Sequence, residues 1–202
     1  MKNSAPLAWN HHPHPGDALL LIDVQNDFLP GGSLAVPSGD ETIPILNRYI
    51  EAFSKASLPV YASRDWHPPD HSSFRAQGGI WPPHCIAGSR GAEFSPKLGL
   101  PANAVIISKA TNPNADAYSD FDEPDLEQSL HQNGISRLFI GGLATDYCVL
   151  YTARDALARG FEVHLLLDGI RAINLKPGDG QRAIEEMTSL GARPIHFEDI
   201  AA

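Results

Sequence analysis

Ala18-Leu19-Leu20-Leu21-Ile22 is an unbroken apolar run, closed by Asp23. A strand with one wet face would alternate apolar and polar residues. This run does not alternate, so it reads as a strand covered on both faces. Such a strand needs helices on each side, and the sequence supplies them. Residues 42–56 carry Ile43, Leu46, Ile50 and Phe53 at helical spacing. Residues 59–63 read as a second strand, and 105–108 as a third that ends at Lys109. Residues 123–132 predict a helix stopped by Asn133-Gly134. Beyond it come strand 136–141, helix 146–158 with Gly160 past its end, strand 161–167, helix 179–190 stopped by Gly191, and strand 193–197. The alternation predicts an α/β fold: one three-layer α/β/α domain over residues 18–202, with a six-stranded, mainly parallel sheet. No internal repeat or linker interrupts it. Residues 1–17 read as a flexible N-terminal arm. His11, His12 and His14 could bind a metal there, but a short tail with Pro13 and Pro15 more simply stays mobile.

Composition narrows the function. The chain has 202 residues, 43% of them hydrophobic and 19% charged, a globular balance. Its net charge is −9, from 24 acidic and 15 basic residues, which argues against nucleic acid and anionic membrane surfaces as partners. The apolar run 18–22 is too short to span a bilayer. The opening MKNSAPLAWNHHPHPGD lacks the apolar stretch of a secretory signal. Two cysteines, Cys85 and Cys148, make no disulfide framework, so a reducing cytoplasm is the expected location.

In open parallel sheets, ligands bind beyond the carboxyl ends of the strands. Asp23, Asp65, Lys109 and Cys148 all stand at or just after such ends. The long Pro-, Gly-, Ser- and Asn-rich segments 66–104 and 110–122 adjoin them and are expected to build the site.

Asp65-Trp66-His67 places a carboxylate and an imidazole two residues apart, on one side of extended backbone. His84 completes a two-histidine, one-carboxylate set that suits zinc, iron or manganese. A plain hydrogen-bonded Asp–His pair is the ordinary alternative. Pro68, Pro69, Pro82 and Pro83 stiffen both arms and favour a site. His71 is an extra ligand or a group that orients one. Arg64 is an ion-pair partner of Asp65 or a surface residue.

Cys148 follows Gly141-Gly142 at the start of a predicted helix, where the helix dipole lowers a thiol pKa and free amides can hold an oxyanion. Thr145 or Asp146 would cap that helix. Alone, Cys148 would read as a small buried hydrophobe, and Cys85 has only that reading. Asp23 and Lys109 change the balance. A carboxyl desolvated at the end of an apolar strand can take a thiol proton and return it to a leaving amine, while Lys109 steadies the thiolate. Asp27 and Asn26 read as turn or cap residues. Of the nearby aromatics, Phe28, Trp81 and Tyr118 could stack a flat heteroaromatic substrate, whereas Trp66 and Phe121 read as packing residues.

The set LLLIDVQNDFLPGGSLAV, RDWHPPDH, WPPHC, Ser108-Lys109, AYSDF and GLATDYCV resembles the nicotinamidase branch of the isochorismatase-like cysteine hydrolases, over residues 18–200. The resemblance implies Asp23, Lys109 and Cys148 as a catalytic triad, and Asp65, His67 and His84 as ligands of one divalent ion, zinc before iron or manganese. It implies Phe28, Trp81 and Tyr118 as pocket walls, a cis peptide at Leu143-Ala144, and the Ala144 and Cys148 amides as an oxyanion hole. The implied reaction converts nicotinamide, or its analogue pyrazinamide, to the acid and ammonia through a cysteine thioester. A homo-oligomer is compatible with this reading. The nearest alternative is a metal-independent cysteine amidohydrolase of the same superfamily, acting on a carbamoyl or ureido substrate. A non-haem iron oxygenase would leave the triad idle, and a catalytically dead binding protein does not account for it.

Overall fold

A computed structural model of the protein describes residues 11–201. Six strands form one sheet: β1 Asp17–Ile22, β2 Val60–Asp65, β3 Val105–Lys109, β4 Arg137–Leu143, β5 Glu162–Arg171 and β6 Arg193–Ile195. Their order is β3-β2-β1-β4-β5-β6, and every neighbouring pair is parallel rather than merely most of them. The helices are α1 Thr42–Lys55, α2 Pro124–Gln132, α3 Leu150–Ala158, α4 Asp179–Ser189 and the short α5 Glu198–Ala201.

All six residues of β1 are buried, as its lack of alternation requires. Successive side chains point to opposite faces. Leu19 and Leu21 pack with Ile43, Leu46, Ile50 and Phe53 of α1, and Ile200 of α5 joins that layer. Ala18, Leu20 and Ile22 pack with Leu126 and Leu130 of α2, Ala153 and Ala156 of α3, and Met187 of α4. Each buried leucine contributes about 1.5–3 kcal/mol, so one strand anchors both cores.

The chain winds outward from β1 to β3, then returns to β4 on the other side of β1. That reversal makes the β1–β4 boundary the switch point, where neighbouring connections leave in opposite directions and open a crevice. Gly142 permits close approach there: its φ is +124°, and a Cβ would lie 2.1 Å from the Ile22 carbonyl oxygen. At the opposite edge, Arg137 grips Asp17 through Nε at 2.8 Å and a second nitrogen at 2.6 Å.

The expected flexible arm ran from residue 1 to 17, and residues 1–10 lie outside the described residues. His11 bonds His164 at 3.0 Å and His12 bonds the Ile200 carbonyl at 3.0 Å, so residues 11 and 12 pack against the domain. Asp17 already belongs to β1. Among the described residues, no helix is long and apolar enough to cross a membrane.

Candidate active site

Four strand ends converge on the crevice. Immediately after β1, Asp23 takes φ +49°, an uncommon conformation for a residue other than glycine, and is fully buried. Asp65 closes β2 and Lys109 closes β3, in register with each other. After β4 the Leu143-Ala144 peptide is cis, and a π-helical turn, Thr145–Val149, carries Cys148 into α3. The sequence reading placed Cys148 in the first turn of an ordinary α-helix. The wider turn differs, and such turns recur at functional sites. Neither Thr145 nor Asp146 caps it. The Asp146 carboxylate instead accepts the Ile173 and Asn174 amides at 2.9 and 2.7 Å, tying the turn to the segment after β5.

Lys109 lies at the centre and is fully buried. Its Nζ donates to Asp65 Oδ1 in a short contact and to Cys148 Sγ at 3.5 Å, and pairs with Asp23 Oδ2 at 2.7 Å. Ser63 donates to Asp23 Oδ1 at 3.1 Å. The Lys109–Asp23 approach is an ion pair without hydrogen-bond alignment, so Asp23 Oδ2 keeps lone-pair capacity toward the thiol. An oxygen of Asp23, an oxygen of Asp65 and Cys148 Sγ all lie within 4.8 Å of one another.

This geometry sets the proton affinities. Burial pushes Asp23 up to about 6, with Lys109 pulling the other way. Burial would also raise Asp65, but Lys109, His67 and His84 outweigh it and hold that carboxyl below its ordinary value. Lys109 loses solvation, yet two carboxylates hold its ammonium form well above the usual range. The expected lowering of the Cys148 pKa does not occur. Burial dominates and raises the thiol, while Lys109 partly opposes it. A thiol so placed ionises by handing its proton to a neighbour, and Asp23 is in hydrogen-bonding reach.

Asp65, His67 and His84 present ligand atoms within 4.8 Å of one another, all buried. Each histidine has Nδ1 against a backbone carbonyl, His67 on His84 at 3.0 Å and His84 on Pro82 at 2.8 Å. Those bonds fix the tautomer that leaves Nε2 as a lone pair, and burial lowers both pKa values, His67 to about 4. Asp65 gives Oδ1 to Lys109 and turns Oδ2 toward His84 Nε2, 3.9 Å away. Neutral imidazoles and an ionised carboxylate are the ligand forms a divalent ion requires, so the set fits one.

Phe28, Trp81 and Tyr118 line the same cavity as Asp65, His67, His84, Ala144 and Cys148. The Trp81 indole N–H donates to the Tyr118 hydroxyl at 2.9 Å, and Phe28 leans on His84 with ring centres 5.6 Å apart. Both long loops contribute walls, as expected.

Other assignments move. Arg64 does not pair with Asp65: the two are successive residues of β2 and point to opposite faces, so Arg64 donates to Ser108 Oγ at 2.9 Å and covers the Trp66 ring. His71 stands beside His67, but its nitrogens face Ser73 Oγ at 2.8 Å and the Ala115 carbonyl at 3.1 Å, so it braces the loops. Asp27 clasps two loops, accepting the Cys85 amide at 2.7 Å and the Ser33 amide at 3.2 Å. Cys85 and Phe121 are packed in the cores as expected. Sequence reasoning missed Gln25, whose buried amide brackets Asp65 by donating to its carbonyl and accepting its N–H, both at 2.8 Å. It also missed Tyr147, a cavity wall that packs edge-on against Trp81, and the buried Asp120. A polar residue two positions past Asp23, still close to the end of a fully apolar strand, was the available signal for Gln25.

Fold and site define the class: a doubly wound α/β protein with a buried thiol beside its switch point. The Isochorismatase domain model matches residues 17–199, and the chain belongs to that family. It is 41% identical over 199 residues to the nicotinamidase of Escherichia coli, an alignment covering 88% of this chain and 93% of the relative. Among solved structures, the pyrazinamidase of Pyrococcus horikoshii in complex with zinc is 51% identical with a TM-score of 0.87, covering 91% of this chain and all of the other. A second solved structure, PnC1 from L. infantum in complex with nicotinate, is 35% identical with a TM-score of 0.84, covering 92% of this chain and 94% of the other.

Proposed function

We propose that this protein hydrolyses nicotinamide to nicotinate and ammonia, and pyrazinamide likewise, through a thioester on Cys148. The observation that carries the reading is one cavity holding Cys148, with Lys109 Nζ 3.5 Å from its sulfur, beside the Asp65–His67–His84 set. The likeness to nicotinamidases and a pyrazinamidase supports the substrate class.

Phe28, Trp81 and Tyr118 hold the flat ring and orient its carboxamide toward the sulfur. Asp23 takes the thiol proton while Lys109 steadies the thiolate. The sulfur attacks the carboxamide carbon, and the amides of Ala144 and Cys148 receive the oxyanion. Asp23 returns the proton to the departing nitrogen, and ammonia leaves a thioester. Asp23 then accepts a proton from water as the water's oxygen attacks that carbon, and hands it to the sulfur as the C–S bond breaks, restoring the thiol and releasing the acid, which gives up its own proton to leave nicotinate. A divalent ion on Asp65, His67 and His84 would supply Lewis acidity toward a ring nitrogen. We assign zinc to it, by likeness to the zinc-bound archaeal structure. Two buried free thiols suit a reducing, cytoplasmic compartment.

Metal-analysed protein is expected to release ammonia and nicotinate from nicotinamide, and to lose that activity when a chelator strips the ion. His67→Ala should lower bound metal and weaken substrate binding together. Turnover of a ureido or carbamoyl amide, with none of nicotinamide, would favour the metal-independent alternative.

The base also predicts a pH profile. Only ionised Asp23 can accept the thiol proton, and its pKa is about 6. kcat/KM should therefore fall as pH drops through about 6 and level off above it. A profile flat down to pH 4 would remove Asp23 from the role.

A further inference from the structure

Asp120 is a carboxyl that the reaction above does not use. It opens a short 3-10 turn, Asp120–Asp122, held by a reciprocal cap between Ser119 and Asp122. Its backbone N–H donates to Thr152 Oγ1 of α3 at 3.0 Å, which fixes the residue against the sheet end. The side chain is fully buried, and neither oxygen has a hydrogen-bond partner of good geometry. Asp23 and Asp65 repel its charge, Lys109 attracts it, and the Ser63 hydroxyl is within hydrogen-bonding reach. Lys109 is already engaged by Asp23 and Asp65. A third ionised carboxylate here would be buried without a cation of its own, which is strongly unfavourable.

Ser63 decides the direction of the contact. Its single hydroxyl hydrogen goes to Asp23 Oδ1 at 3.1 Å. Toward Asp120 it then offers only lone pairs, so the two oxygens attract each other only if Asp120 carries a proton.

We propose that Asp120 is held as a neutral carboxylic acid whose O–H donates to Ser63, which in turn donates to Asp23, making Asp120 a positioning residue for the base. Burial is also the largest influence on its proton affinity and, with Asp23, drives it well above the carboxylate range. The relay pins Asp23 Oδ1 and leaves Oδ2 facing Lys109 and the thiol. Cooperative polarisation along it strengthens the Ser63 donation. The inference rests on Asp23 acting as the base in the proposed reaction.

Asp120→Asn can still donate to Ser63 and cannot ionise. Asp120→Leu has similar size and cannot donate. We expect Asp120→Asn to keep near wild-type kcat, and Asp120→Leu to lose about 10-fold in kcat with KM little changed, because no substrate contact is removed. In a Ser63→Ala background, Asp120→Leu should cost nothing further. Infrared difference spectra between wild type and Asp120→Asn at neutral pH should show the carbonyl band of a protonated carboxylic acid in the wild type alone. The spectral arm needs no turnover. A wild type inactive on nicotinamide but showing the band would overturn the proposed reaction and leave Asp120 neutral. Absence of the band in wild type, or full kcat in folded Asp120→Leu, would overturn the proposal. Should the leucine variant fail to fold, the wild-type and asparagine spectra decide.

Discussion

Cys148→Ala is expected to lower turnover of nicotinamide by about 10⁴-fold or more, the scale on which removal of a covalent nucleophile acts. The structure offers no substitute at that position. Cys85, the other thiol, is packed in a core, and burial raises its pKa well above the ordinary value. The alanine side chain cannot form the thioester, so attack would fall to water, without the split into two easier steps. Metal content should not change, because Cys148 does not belong to the Asp65–His67–His84 set. Rapid acid quench of the wild type with substrate, followed by mass analysis, should find an acyl adduct on the peptide containing Cys148. No such adduct should form on the variant. A wild-type rate in Cys148→Ala would end the covalent mechanism.

Lys109→Met is expected to damage both folding and activity. Lys109 is completely buried against Asp23 and Asp65, also buried, and its removal leaves two carboxylates sharing a site without a cation. Breaking a buried ion pair by deleting one partner costs about 3–5 kcal/mol. For a chain of this size that should lower Tm by about 10 °C, read by calorimetry. The pH dependence follows from the sign of each shift. Lys109 has its folded pKa raised, so its contribution is fully present below the ordinary 10.5 and is lost only as pH rises through the higher folded value. Asp65 has its folded pKa lowered, so its contribution is fully present above the ordinary 3.8 and is lost as pH falls through the lower folded value. Asp23 sits at about 6 even with Lys109 pulling it down and loses that pull in the variant, so the stability gap should narrow as pH falls from above neutral toward 6, where the variant's Asp23 takes up its proton first. Activity should fall beyond the loss of folded protein, because the thiolate loses its nearest positive charge. An unchanged Tm would mean that Lys109 is not the counter-ion of this cluster.

Much of this arrangement was legible in local pattern. The apolar run 18–22 has no alternation, and a strand with two covered faces was its direct consequence. Helical spacing in 42–56 located α1, which runs Thr42–Lys55. The strand-end rule gathers Asp23, Asp65, Lys109 and Cys148 from the sequence pattern alone. Boundaries were less legible: β2 extends to Asp65 and β5 to Arg171, because pairing with neighbours prolongs strands past their apolar segments.

The residues misjudged share a cause. Arg64 adjoins Asp65 in sequence, but successive side chains of β2 point to opposite faces, and Lys109, in register with Asp65 on the adjacent strand, shares its face. Cys148 was expected to be acidified by a helix start, yet its burial outweighs the local field. Gln25, Tyr147 and Asp120 acquire significance only from partners 40, 66 and 57 residues away, at Asp65, Trp81 and Ser63.

The sequence by itself determined which segments are strands and helices, the parallel class of the sheet, and the residue types available at each strand end. These follow from periodicity and turn chemistry, which act over a few neighbouring residues. Tertiary structure alone decided which charge faces which, and so the protonation of every group in the crevice. Desolvation and Coulomb interactions depend on distances across the fold, and those exist only once the strands are side by side.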